Sequence, residues 1–242
     1  MSRVALSIVL PCYNEADNLP PLLERYRAVW EDLPAELVLV DNGSTDDTPA
    51  VLARELARPE LGFARVVRVM PNQGYGHGIV QGLRAATGDV LAFSHADMQC
   101  DAADVFRAYH TLLAQRDPQR ALVKGRRQGR RGLQAALITS AMSVITSATL
   151  QMLLRDVNAQ PKVFPRRLLD EAMPDPPAGF ELDLYVLHQA RRAGLREVTI
   201  PVVFGARAHG QSKWSFSLVS RWKTIRRVLS YTVDLRRTRG RP

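Results

Sequence analysis

A mostly parallel α/β sheet with helices on both faces is the fold this sequence predicts. Three observations carry that expectation. Short apolar runs alternate with amphipathic stretches from the first residues onward, the pattern of βα units. Several of those runs, Val90 to Phe93 among them, are apolar throughout, as strands buried on both faces are. The length, 242 residues, is enough for one large α/β core.

The elements follow in order. Ala5 to Leu10 is the first predicted strand. Residues 18–31 form an amphipathic helix, with Leu19, Leu22, Leu23, Tyr26 and Trp30 near helical spacing. Glu36 to Val40 is the second strand and Thr48 to Leu56 the second helix, with Ser44-Thr45-Asp46-Asp47 offering capping oxygens. Val66 to Val69 is the third strand, and Gly78 to Ala86 the third helix, ended by Gly88. Val90 to Phe93 is the fourth strand and Asp101 to Arg116 the fourth helix. Ala121-Leu122-Val123 leads into a basic loop, Lys124 to Gly132. Leu133 to Leu154 is uncharged and about as long as a membrane span, but it carries six Ser/Thr and two Gln. That polarity predicts a helix packed on the domain. Asp175 to Gly179 is a loop, Phe180 to Arg192 a helix and Thr199 to Phe204 a late strand. In the last helix, Trp214 to Tyr231, Leu218, Trp222, Ile225 and Leu229 make an apolar stripe flanked by Arg221, Lys223, Arg226 and Arg227. Such a helix suits an anionic bilayer or the side of a sheet.

Composition narrows the partners. Hydrophobic content of 46% and charged content of 24% are those of a soluble globular chain. Cys12 and Cys100 lack metal-ligand spacing and fit a reducing cytosol. Met1-Ser2-Arg3 runs straight into a strand pattern, which predicts no signal peptide and a cytoplasmic chain. The net charge of +9 is unevenly placed: ten of the 33 Lys and Arg, but one of the 24 acids, lie between Gly205 and Pro242. The division is therefore residues 1–204 as one domain and 205–242 as a basic loop and helix. An excess so placed points to an anionic surface, peripheral on the inner face of the cell membrane. Nucleic acid is not expected, because Trp214 and Trp222 fall at helical spacing among aliphatic residues instead of along a stacking platform.

Chemistry concentrates at three strand ends, the edge where open α/β sheets bind ligands. The first strand ends in Pro11-Cys12-Tyr13-Asn14-Glu15 and the second in Asp41-Asn42-Gly43-Ser44-Thr45-Asp46. The fourth ends in Ser94-His95-Ala96-Asp97-Met98-Gln99. A period of two would put His95, Asp97 and Gln99 on one side of an extended chain, where a carboxylate and a carboxamide suit Mg²⁺ or Mn²⁺. Tyr13 could stack on a base and Asp41 accept from a nucleobase N–H. Gly43 permits a turn that a side chain would block. Asn72-Gln73-Gly74-Tyr75-Gly76-His77-Gly78 reads as a loop through which backbone approaches phosphate; neither the dinucleotide-binding spacing after the first strand nor a Walker pattern is present.

Together, Ser7 to Glu15, Val40 to Asp46 and Asn72 to Gly76 resemble family 2 glycosyltransferases of the GT-A fold. The likeness extends to the polyprenyl-phosphate branch, which resembles dolichol-phosphate mannose synthases. An Arg-rich loop, here Arg126 to Arg131, and a late element, here Arg207 to Lys213, carry that part. The resemblance covers roughly residues 5 to 214. It implies an inverting transfer from a GDP- or UDP-sugar at the cytoplasmic membrane face. Pro11, Tyr13, Asn14 and Glu15 would border the nucleoside. Asp41 would bond the base, Gly43 and Ser44 would shape its pocket, and Asn72, Gly74 and Gly76 would line the donor. Asp97 and Gln99, with His95, would hold the divalent ion.

Two positions depart from the pattern. His95 stands where the usual motif has a first Asp, which removes a negative charge and favours Mn²⁺ over Mg²⁺. Asn42 replaces a second Asp. If the acceptor is a lipid phosphate, cations must orient it: Arg126, Arg130, Arg131, Arg207, Ser212 and Lys213 are the candidates. If it is a hydroxyl of a glycan or lipopolysaccharide intermediate, a carboxylate must take its proton, and Asp183 is the catalytic candidate, with Glu181 second. The stretch from Asp156 to Phe164 differs from the polyprenyl branch and points to a separate subgroup.

Overall fold

A computed structural model describes residues 4–128, 149–150, 155–205 and 218–238. The expected helix over 133–154 lies almost wholly outside the described residues, as do Arg130, Arg131, Arg207, Ser212 and Lys213. Seven strands form one sheet: β1 (Leu6–Cys12), β2 (Ala35–Asp41), β3 (Ala64–Arg68), β4 (Val90–Phe93), β5 (Ala121–Gln128), β6 (Lys162–Pro165) and β7 (Arg196–Val203). Their spatial order is β3-β2-β1-β4-β6-β5-β7. β1 runs parallel to β2 and β4, β2 to β3, and β5 to β7; β6 runs antiparallel to β4 and β5. The sheet is thus mostly parallel, as expected, with one reversed strand.

The alternation of side chains along each strand feeds two cores. Leu6, Ile8, Leu10 and Cys12 of β1 face one layer, where α1 (Leu19–Val29), α2 (Thr48–Leu56) and α4 (Ala103–Leu113) pack. Val9 faces the other, built from α3 (Tyr75–Ala85), α5 (Arg167–Ala172), α6 (Leu182–Arg192) and α7 (Leu218–Thr238). Each fully buried leucine in these layers contributes on the order of 2 kcal/mol. At the start of the sheet, Glu36 ties β2 to its surroundings. It accepts from Ser7 Oγ at 2.6 Å, Arg65 Nε at 2.7 Å and the Thr87 N–H at 2.6 Å.

Three expectations are corrected. The Gly-rich stretch is mostly helix, because α3 starts at Tyr75 instead of Gly78. The described part of the basic loop is strand, because β5 continues through Arg126 and Arg127 to Gln128. Lys124, which opens that stretch, is 1% exposed and gives its ammonium to the carbonyls of Arg155 and Asp156. β6 and α5, in a stretch with no expected element, complete the sheet and its second layer. Along α7, Thr232 and Leu235 are buried and Tyr231 packs against the second core. This end of the helix docks on the domain; the side chains of most of the stripe, Leu218, Trp222 and Ile225, lie outside the described ones.

Candidate active site

The order of strands reverses beside β1: β2 and β3 lie on one side, β4 and β6 on the other. A crevice opens at such a point, beyond the carboxyl ends of β1 and β4. All three expected strand tips meet there. The β1 and β2 loops are zipped together. Asn14 donates its N–H to Ser44 Oγ (3.2 Å), and its Oδ1 accepts the Thr45 N–H (2.8 Å). The Glu15 N–H reaches Thr48 Oγ1 at 2.9 Å, while its carboxylate takes the Asn18 amide at 2.5 Å. Asn14 adopts φ 57°, and Gly43 follows with φ 71°, where a Cβ would stand 2.7 Å from the Asn72 nitrogen. Asn14, Glu15 and Ser44 therefore build the rim as well as border it. Pro11 and Tyr13 are half-buried on the same tip.

Asp41 is 4% exposed, and its Oδ1 accepts the Ser44 N–H at 3.1 Å, which holds the turn open around Gly43. Asn42 donates to the Gly74 carbonyl at 3.0 Å, and Asn72 Oδ1 accepts the Gly74 N–H at 2.8 Å. An ionised Asp at position 42 would have no proton to give that carbonyl. Gly74 and Gly76, expected to line the donor, also have a packing role. A Cβ on either would run into the backbone of residues 177–179, and the His77 N–H bonds the Ala178 carbonyl at 3.0 Å. These glycines let α3 and that loop touch.

Beyond β4 the chain bends, with Met98 at φ 64°, so a period of two does not carry through to Gln99. Asp97 is 5% exposed and its Oδ1 accepts the Gln99 N–H at 3.2 Å, while the Gln99 amide donates to the Gly205 carbonyl at 3.1 Å. Gln99 thus flanks Asp97 through its backbone and fastens the tip to Gly205, just past β7, through its side chain. His95 is packed between rings: Tyr75 stacks on it at 6.0 Å between centroids, and Phe204 meets it edge-on at 6.1 Å. Burial holds the His95 imidazole below its ordinary pKa, against the pull of Asp97 and Asp183. Its uncharged form is the one that binds metal. No group of three His, Cys, Asp or Glu converges among the described residues. A divalent ion there would draw on Asp97 and His95 and take its remaining oxygens from phosphate or water.

On the far side of β4 lies a set of groups of which the sequence disclosed Asp183, Glu181 and Arg126 but not the partners of the two carboxylates. Asp183, in the first turn of α6 and 3% exposed, forms an ion pair with the fully buried Lys162 of β6 and accepts from the Gln160 amide at 2.9 Å. Burial lowers the Lys162 pKa, and Asp183 opposes that shift. The Lys162 ammonium also lies 5.3 Å from the centroid of the Phe93 ring. Arg127 sits over Phe204 at 4.4 Å and donates its N–H to Asp156 at 2.8 Å. Arg126 beside it is exposed. Tyr75 stacks on Phe180, with centroids 5.0 Å apart, so Phe180, Tyr75, His95 and Phe204 form a row of rings beside the β4 tip. Glu181, 2% exposed, pairs with Arg227 of α7. Lys162 gave no sequence signal, because a lone lysine opening a four-residue strand reads as solvated.

The family model described as Glycosyl transferase family 2 matches residues 7–131, a little over half of the chain and every strand tip just described. The chain belongs to glycosyl transferase family 2. An uncharacterized glycosyltransferase of Mycobacterium tuberculosis is 35% identical over 222 residues, covering 90% of this chain and 93% of that protein. The undecaprenyl-phosphate 4-deoxy-4-formamido-L-arabinose transferase of Klebsiella pneumoniae subsp. pneumoniae is 31% identical over 216 residues. That match covers 87% of this glycosyltransferase but 63% of the longer relative. Among solved structures, glucosyl-3-phosphoglycerate synthase of Mycobacterium tuberculosis, in complex with Mn²⁺, UDP-glucose and phosphoglyceric acid, superposes with a TM-score of 0.73. It is 22% identical, over 96% of this chain and 80% of that one. A mannosyltransferase of Pyrobaculum calidifontis, in complex with GDP-Man and Mn²⁺, gives 0.64 at 22% identity, over 97% and 70%. These likenesses are of fold, and the fold is GT-A. This family 2 glycosyltransferase is accordingly a transferase enzyme.

Proposed function

We propose that this glycosyltransferase moves a sugar from a nucleotide-diphosphate donor to a polyprenyl phosphate, with inversion, at a membrane surface. One observation carries the choice of acceptor: both carboxylates that could serve as base are already neutralised, Asp183 by Lys162 and Glu181 by Arg227. A hydroxyl acceptor needs a group to take its proton. A phosphate is anionic on arrival and needs only to be oriented, which suits Arg126, Arg130, Arg131, Arg207, Ser212 and Lys213. The undecaprenyl-phosphate transferase relatives support the same choice.

The donor lies across the tips of β1, β2 and β4. Tyr13 stacks on the base, Asp41 accepts from it, and the helix start at Gly74 offers positive dipole to the diphosphate. Asp97 and His95 fit a divalent ion, and an N/O pair with a single carboxylate favours Mn²⁺ over Mg²⁺. Bound there, the ion supplies positive charge to the departing diphosphate oxygens. An oxygen of the acceptor phosphate then bonds the anomeric carbon as the bond from that carbon to the β-phosphate oxygen breaks. The electron pair leaves with the nucleoside diphosphate, and no proton moves.

The test is transfer of labelled sugar from UDP- and GDP-sugars into organic-soluble product, with polyprenyl phosphate and Mn²⁺. No transfer from any donor defeats the proposal. The acceptor class is read from Asp183→Asn combined with Lys162→Met, which removes both buried charges together. Transfer to phosphate should stay within about tenfold of the native rate, whereas loss of a general base costs about 100- to 10,000-fold.

A further inference from the structure

The C-terminal helix does more than cover the second core. Arg227 reaches from α7 to Glu181, at the start of α6. The Arg227 side chain is 64% exposed and its partner 3%. The other Glu181 oxygen, Oε2, is buried and has no hydrogen-bond partner, so Arg227 is what balances this carboxylate. The pair presses on Gly179, where a Cβ would come within 2.6 Å of the guanidinium. The segment from Pro177 to Glu181 is therefore held on two sides. Its carbonyls lie against Gly74, Gly76 and the His77 N–H of α3, and its last residue is clasped by α7. Between those anchors sits Phe180, 43% exposed, stacked on Tyr75, which in turn stacks on His95.

With the proposed donor across the tips of β1, β2 and β4, the rings of Phe180 and Tyr75 remain as a wall toward β6 and β5. We infer that Arg227 is a positioning residue of the transfer reaction: through Glu181 it fixes Phe180 on Tyr75 and so shapes the acceptor side of the site. This rests on the proposed sugar transfer to a lipid phosphate. It adds that α7 is part of the active-site construction, and that the apolar ring of Phe180 receives the acceptor's hydrocarbon beside its phosphate.

Steady-state kinetics on the full chain test it, with Arg227→Gln, Arg227→Lys, Glu181→Gln and the Arg227→Gln/Glu181→Gln double variant. The acceptor KM should rise about tenfold in Arg227→Gln, the loss of one charge-assisted contact, with donor KM within about twofold. Arg227→Lys should recover most of that loss, and the double variant should be no worse than the poorer single one. Phe180→Ala leaves the ion pair intact and should raise the acceptor KM alike, which keeps the test open if a change at position 227 hinders folding. The inference is overturned if Arg227→Gln keeps the native acceptor KM, if losses fall equally on donor KM, acceptor KM and melting temperature, or if the two single losses simply multiply. A native chain that transfers nothing overturns the functional reading itself, and this inference with it.

Discussion

At the scale of single residues, the proposed ion makes position 95 the place where metal preference is tuned. An imidazole replaces a carboxylate next to Asp97, and burial between Tyr75 and Phe204 keeps it neutral. His95→Asp should therefore shift the ratio of Mg²⁺- to Mn²⁺-supported transfer toward Mg²⁺ by about tenfold, measured as initial rates in each metal. Asp97→Ala should abolish turnover, with a drop of at least about 100-fold, because it removes the carboxylate proposed to hold the ion. The residue identities at the three tips were legible as chemistry from the sequence, since polar turn formers after apolar runs mark the ligand-binding edge. Their partners were not. Nothing in the string places Lys162 beside Asp183, or Arg227 beside Glu181, because those pairs join segments about 20 and 46 residues apart through packing alone.

At the scale of elements, Glu36 shows how strands are tied. Burial alone would raise its pKa, but bonds from Arg65, Ser7 and Thr87 outweigh that and bring it from 4.5 to about 2. The folded carboxylate stays charged where the unfolded one would protonate. Its contribution is fully present above pH 4.5 and drains away as pH falls toward 2. Glu36→Gln should flatten the acid limb of stability and cost at most about 3 kcal/mol at pH 7, read from the urea midpoint at unchanged slope. Elements with strong periodicity, such as α2 and β4, fall where the sequence puts them. Those that break local rules do not. β5 carries Lys124 into the interior because two carbonyls and Glu197 receive its ammonium, whose pKa burial lowers to about 8. α3 begins early because its glycines are there for close approach instead of for a turn.

At the scale of the whole molecule, α7 joins the basic C-terminal segment to the catalytic layer. Arg226 and Arg236 are exposed on it, while Thr232 and Leu235 are buried. No helix among the described residues is long and apolar enough to cross a membrane. Contact with lipid, in the proposed function, is a matter of surface charge. The chain should float with anionic vesicles at low salt and be released at high salt, and Arg226→Glu with Arg236→Glu should weaken flotation without moving the melting temperature. Retention of the double variant at native strength would remove the basic helix from that role.

Taken alone, the sequence determined the βα order of the first four units, the two-sided burial of the central strands and the three polar tips, because these follow from local periodicity and turn chemistry. Only the tertiary structure decided which carboxylates carry a cation, which glycines serve packing and where the last helix docks. Each of those depends on groups brought together across the sheet, where burial makes an unpaired charge costly enough to select its partner.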